Sequence, residues 1–248
     1  MKSLLKTVVK RWVFPEGSVA PVLRGPCRGM KYRVTPESGH SMIVGYELAN
    51  QRFLASRVRP GITVFDVGAN VGQFMMLFSP RVGPTGRVVC FEPYPPAFRL
   101  LEENARLNGL TNVVCLRQAL AGSGGRLSFT VNPRTASMGK LSAAEPTHED
   151  PSFSKIEVDA VRLDDAADRL GPPDLLKIDV EGGAAAVLAG AEKTLEARKP
   201  AVFIELHGPE EQRAVLDLMR RGWAFQDLAG GRVRDFASWT TPLWGEHA

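Results

Sequence analysis

Val64-Phe65-Asp66-Val67-Gly68-Ala69-Asn70-Val71-Gly72 decides the reading of this 248-residue chain. Ile62 to Val67 has the apolar, β-branched character of a strand covered on both faces. Gly68 and Gly72 permit a tight bend and close backbone approach, and the helix that opens after them is expected to present free N–H groups outward. The next strand, Arg87 to Phe91, runs into Glu92, an acid placed to accept two hydrogen bonds from a ribose diol. Together these residues describe half of a nucleotide-type pocket. The G-x-G-x-x-G spacing of a pyrophosphate cradle is absent, because the turn reads G-x-N-x-G with an aspartate two residues ahead of it. The plain alternative is a left-handed glycine turn that holds nothing.

The rest of the chain narrows the function classes. Lys plus Arg is 31 and Asp plus Glu is 27, a mild net charge of +4 scattered along the sequence, so no nucleic-acid footprint stands out. Cys27, Cys90 and Cys115 are odd in number and widely spaced, which suits reduced thiols and a cytoplasmic setting. No apolar run is long enough to cross a bilayer. In the first fourteen residues Leu4, Leu5, Val8, Val9, Trp12 and Val13 recur at helical spacing among Lys2, Lys6, Lys10 and Arg11. Such a helix packs on its own domain or covers a pocket, with weak contact to an anionic membrane surface as the lesser alternative.

From Gly61 onward the rhythm is strand, helix, strand, helix. Ile62 to Val67 is followed by Gln73 to Ser79, Arg87 to Phe91 by Pro95 to Asn108, and Val113 to Arg117 closes the series. Alternation of this kind predicts a parallel sheet with crossover helices. Arg126 to Val131 and Ile156 to Leu163 read as strands flanking a long loop, Asn132 to Ser154. Leu175 to Val180 reads as a buried strand, Ala184 to Ala197 as a helix, Ala201 to Leu206 as a strand and Glu210 to Arg221 as a helix. Residues 1–60, with a short hairpin between Val22 and Val34 and a helix from about Val44 to Val58, read as an N-terminal extension packed on a single main domain, residues 61–248.

In an open parallel sheet, ligands gather beyond the carboxyl ends of the strands. Asp179 and Glu181 close the strand LLKIDVEG, and Glu205 and His207 close AVFIELHG; alternation along a strand lets each pair share a face. If the two strands are neighbours, three carboxylates and an imidazole converge. Three uses are open: a general base with orienting acids, a divalent-metal site in which Asp179 and Glu181 are the better ligands, or capping of the helices that follow.

The order of Asp66-Val67-Gly68-Ala69-Asn70-Val71-Gly72, Phe91-Glu92-Pro93, Leu163-Asp164-Asp165, Leu176-Lys177-Ile178-Asp179-Val180-Glu181-Gly182, Leu188 with Gly190-Ala191, and Phe203-Ile204-Glu205 resembles the FkbM family of methyltransferases from about Gly61 to His207. The resemblance implies an α/β fold of the Rossmann-like class I methyltransferase type, a mostly parallel seven-stranded sheet with helices on both faces, S-adenosyl-L-methionine as donor, and a hydroxyl of a saccharide or secondary metabolite as acceptor. It puts Asp66, Gly68, Ala69, Asn70 and Gly72 around the methionine part of the cofactor and Glu92 on its ribose. Gln118 and Ala119 would lie beside the adenine, and Asp179 and Glu181 at the reaction centre, with Ser137 in a closing loop. One departure stands out: the family commonly has an acid where this chain has Ala184. A nicotinamide-dependent oxidoreductase and a non-catalytic cofactor-binding module are the competing functions.

Overall fold

The computed structural model describes residues 14–35, 39–131, 139–141, 154–234 and 242–247, with side chains left out of the description at 39–41 and 139–141. The amphipathic segment of residues 1–13 and Ser137 lie outside them. Strands β3 (Thr63–Val67), β4 (Arg87–Phe91), β5 (Val113–Leu116), β10 (Leu175–Ile178) and β11 (Ala201–Ile204) are mutually parallel. β12 (Trp223–Asp227) and β13 (Leu243–His247) complete a seven-stranded sheet in the order β12-β13-β11-β10-β3-β4-β5, and β13 is antiparallel to both of its neighbours. The mostly parallel α/β sheet expected from the sequence is therefore present. No helix among the described residues is long and apolar enough to cross a membrane.

Period-two alternation distributes the sheet side chains between two cores. Phe65, Val67, Val89, Phe91, Leu176 and Ile178 face one side, covered by α5 (Leu163–Leu170), α6 (Ala184–Ala189), α7 (Glu192–Arg198) and α8 (Pro209–Arg220). Val64, Val88, Cys90, Leu175 and Phe203 face the other, beneath α2 (Leu48–Arg57), α3 (Gln73–Val82) and α4 (Pro95–Leu107). On that second side Asp66 and Lys177 are register partners on adjacent strands. Pro95 and Pro96 start α4 and Asn108 ends it, the roles their chemistry predicts.

The N-terminal hairpin is β1 (Val19–Pro21) on β2 (Lys31–Arg33). Its outer strand docks on α4 through amide side chains one helical turn apart. Asn108 Oδ1 accepts from Lys31 N at 2.7 Å and Asn104 Oδ1 from Arg33 N at 2.8 Å.

Several boundaries differ from the sequence reading. The helix expected from Val44 to Val58 is interrupted, because Gly45 (φ 85°) and Glu47 (φ 50°) are left-handed and separate α1 (Gly39–Val44) from α2. The expected helix from Ala184 to Ala197 is two helices, since Gly190 lies against Ala121, where a Cβ would meet the Ala121 carbonyl oxygen at 2.1 Å. The strand expected from Ile156 to Leu163 is β9 (Ser154–Val161), and Leu163 opens α5. β9 joins β6 (Ala119–Leu120), β7 (Gly125–Val131) and β8 (Gly139–Leu141) in a second sheet, so part of the expected long loop is a strand.

Candidate active site

A cleft opens at the carboxyl ends of β3, β4 and β10. Gly68, Asn70, Glu92, Gln118, Ala119, Asp179 and Glu181 line it, joined by Tyr94, Val180 and Phe129 of β7. Seven of the residues singled out from the sequence thus meet on one surface. Asp66, Ala69 and Gly72 do not: Asp66 is fully buried beneath the turn, and Gly72 faces inward, where a Cβ would meet Met75 and Leu101. Their contribution is to shape the turn.

That turn is closed on itself. Gly68 N and Ala69 N both donate to Phe91 O at 3.0 Å, Gly72 N to Ala69 O at 2.9 Å, and Asn70 N to Glu92 Oε2 at 2.8 Å. Asn104 Nδ2 donates to Val71 O at 2.8 Å. The donors of these four turn residues are consumed by the fold, so outward-facing N–H groups are left to the first turn of α3, where the sequence reading expects them. Gly68 (φ 77°) is obligatory here, since a Cβ would lie 2.1 Å from Asp179 O.

Glu92, 7% exposed, is held by two backbone donors: Asn70 N on Oε2 and Tyr94 N on Oε1, each at 2.8 Å. Burial pushes its carboxyl up to about 7 against those two hydrogen bonds. Each oxygen keeps a second lone pair for a ligand. The cleft thus offers acceptors and spends its motif donors internally. A pyrophosphate is poorly served by such a surface, whereas an adenosyl group with a diol and a positively charged sulfur is well matched to it.

Under the turn sits a lysine that the sequence reading left without a role. Lys177, 1% exposed, lies 3.2 Å from Asp66 Oδ1 and 3.4 Å from Asp179 Oδ2. It also donates to Gly68 O at 3.2 Å, and its ammonium stands 4.9 Å from the centre of the Phe74 ring. Burial works to lower its pKa, but Asp66 and Asp179 outweigh burial and raise it, so it stays charged. Burial raises Asp66, with Lys177 opposing. The available signal was a lone lysine inside an apolar strand, on the same side-chain row as Asp66.

Beyond Asp179 the site becomes acidic. His207 lies with Nε2 3.7 Å from Asp179 Oδ1 and Nδ1 3.4 Å from Glu181 Oε2. Its pKa is raised, first by the Asp179 carboxylate, with burial opposing and Glu181 assisting. Burial works to raise Asp179, yet Lys177 and His207 hold it below the ordinary carboxylate value. Glu205, just past β11, is pushed up to about 7 by burial and by the charges of Asp179 and Glu47. Asn50 Nδ2 bridges Glu205 Oε1 at 3.0 Å and Glu47 Oε2 at 3.5 Å, so residues of the N-terminal extension form one wall. Glu47 and Asn50 gave no sequence signal, because only the tertiary fold brings them here. Asp179, Glu205 and His207 each offer one coordinating atom within 4.8 Å of the others, a spacing that suits proton transfer or a cation. The Lys177 ammonium is shared between Asp179 and Asp66.

Residues 66–230 match the family model described as Methyltransferase FkbM domain. The 31-O-demethyl-FK506 methyltransferase FkbM of Streptomyces tacrolimicus is 32% identical over 198 residues, covering 69% of this chain and 75% of that protein. The hexuronic acid methyltransferase AglP of Haloferax volcanii is 28% identical over 171 residues, covering 68% of this chain and 65% of that one. The crystal structure of methyltransferase FkbM from Methylobacillus flagellatus KT superposes with a TM-score of 0.51 at 18% identity. That superposition covers 75% of this chain and 43% of the other, and it speaks to the fold. With the acceptor-rich cleft at the ends of β3, β4 and β10, these matches show that the chain belongs to the FkbM family of S-adenosylmethionine-dependent methyltransferases, with the class I fold.

Proposed function

We propose that this protein methylates a hydroxyl oxygen of a saccharide or secondary metabolite, using the cluster beyond β10 and β11 to handle the acceptor proton. One observation carries the reading: the His207 imidazole lies between Asp179 and Glu181 while Asp179 and Glu181 also line the cofactor cleft. Bound in that cleft, S-adenosylmethionine supplies a methyl group activated by its positive sulfur, so alignment is the main requirement.

Glu92 would accept the two ribose hydroxyls, Gly68 and Asn70 would flank the methionine part, and Gln118 and Ala119 would border the adenine. An alcohol is a poor nucleophile and must lose its proton as it attacks. His207, placed beside both Asp179 and Glu181, is the group positioned to take that proton. Asp179, kept ionised beside Lys177, stabilises the imidazolium that results, and Glu205 receives a second acceptor hydroxyl. Two relatives' names support hydroxylated acceptors, one acting on 31-O-demethyl-FK506 and one on hexuronic acid. Lys177 shares its charge between Asp66 and Asp179, and the proton transfer to His207 invokes no metal ion.

The test incubates the full chain with methyl-tritiated S-adenosylmethionine and a panel of glycosides, uronic acids and macrocyclic alcohols, with amino analogues alongside. Label in an ether-linked methyl group is the expected result. Transfer to amines alone, or none to any acceptor by a chain that binds S-adenosylhomocysteine, would overturn it. The latter outcome would favour a non-catalytic binding module.

A further inference from the structure

The groups assigned to the acceptor side sit on two loops, Asp179 to Gly183 after β10 and Glu205 to Gly208 after β11. The last backbone link between those strands is Glu205 N donating to Ile178 O at 2.9 Å. Beyond it, the His207 ring reaches across to Asp179 and Glu181, and one buried carboxylate ties the backbones of the two loops. Glu211, in the first turn of α8, is 1% exposed. Its Oε1 accepts from Ala184 N at 3.1 Å, at the start of α6, and its Oε2 accepts from His207 N.

This is more than a cap for its own helix. A glutamate at the third position of a helix ordinarily reaches back to the N–H of the capping residue, which here is Gly208. Glu211 instead reaches one residue further, to His207, and crosses 27 residues of sequence to Ala184. Both helix starts favour a negative charge at that point, and both bonds are charge-assisted. Residue 184 is itself buried and carries no carboxylate, so the acid at the start of α6 is delivered by α8.

We infer that Glu211 is a positioning residue, a two-armed strut that fixes the His207 loop against the Asp179–Glu181 loop and so holds the imidazole within reach of both carboxylates. Shortening the strut or removing its charge leaves at least one of the two N–H groups without an acceptor and frees the loops to separate. The inference rests on the functional reading of His207, yet its readouts need no acceptor substrate.

The experiment uses the full-length chain, with the His207 ring signals assigned by comparison with His207→Gln. Glu211→Gln keeps the length and loses the charge, while Glu211→Asp keeps the charge and is too short to span both donors. In both variants the His207 ring resonances should move toward free-imidazole values, and the Ala184 amide should exchange about tenfold faster. Affinity for S-adenosylhomocysteine should stay within about threefold of wild type in calorimetry, since Glu211 does not line the cleft. Unmoved ring signals in whichever variant folds would overturn the inference, as would loss of cofactor affinity in step with the ring shift. Turnover that survives His207→Ala would count against the base assignment alone and leave the strut measurements intact.

Discussion

On the side of β10 proposed to hold the cofactor the backbone holds itself in place, whereas on the side proposed for the acceptor charges do the positioning. The glycine turn satisfies its own N–H groups and meets Glu92 from 22 residues away. Across β10, Glu205 and Asn50 meet from positions 155 residues apart, and Glu47, Asp179, Glu205 and His207 set one another's protonation. The first side is a preformed grip for one ligand. The second can be retuned by a single charge, which suits the part of an enzyme that must differ between acceptors. Lys177 touches both sides and couples them.

The division is broken most severely at the proposed base. His207→Ala should lower kcat by about 10²-fold or more, while the S-adenosylhomocysteine Kd from calorimetry shifts by no more than about threefold. A parallel loss of cofactor affinity would show that the two sides are not separable. Next in size is Lys177→Met, which leaves Asp66 buried without its counter-charge. Urea unfolding should show a loss of about 3–5 kcal/mol, with most of it regained in the Lys177→Met, Asp66→Leu double variant. An additive result in the double variant would mean the pair is not the link between the sides.

Smaller effects sharpen the cofactor side. Glu92→Gln should weaken S-adenosylhomocysteine by about 10–100-fold, as expected for hydrogen bonds to a charged acceptor, while kcat at saturating cofactor stays near wild type. Because the buried Glu92 titrates at about 7, ribose hydroxyls that donate to its ionised form should draw off a proton. Cofactor affinity should therefore rise between pH 6 and pH 8, and calorimetry in buffers of different ionisation enthalpy should detect proton release. The sign for stability is the reverse. The folded value lies above the ordinary 4.5, so Glu92 contributes stability in full below pH 4.5 and loses it as the pH rises through about 7. Glu205 acts in the same direction, and the unliganded thermal midpoint should fall from pH 5 to pH 8, less steeply in Glu92→Gln. Turnover should persist after treatment with a divalent-ion chelator, because the proposed proton transfer to His207 uses no metal ion.

The same contrast explains what the sequence disclosed. The Asp66 to Gly72 turn, Glu92 at its strand end and the LLKIDVEG strand were legible because each is a local pattern of strand, glycine and acid. The parallel sheet followed from the alternation of elements. The Asp66–Lys177 pair needed the knowledge that β3 and β10 are neighbours, and period two then places both side chains on one row. Glu47, Asn50 and Glu211 act through contacts that only the fold creates, so no spacing announces them. The break between α1 and α2 was missed because a left-handed glutamate carries no reliable signature. That the turn's own N–H groups are spent on Phe91 and Glu92 was not legible, because it depends on how close β4 lies to the turn. β12 and β13 escaped because their pairing depends on a return of the chain to the far edge of the sheet.

The most direct test is a crystal structure of the chain with S-adenosylhomocysteine. The account predicts the ribose hydroxyls on the Glu92 carboxylate, the adenine beside Gln118 and Ala119, and the sulfur facing the Asp179 side of the cleft. A ligand bound away from Glu92, or a well-folded chain whose cleft stays closed to saturating ligand, would contradict it.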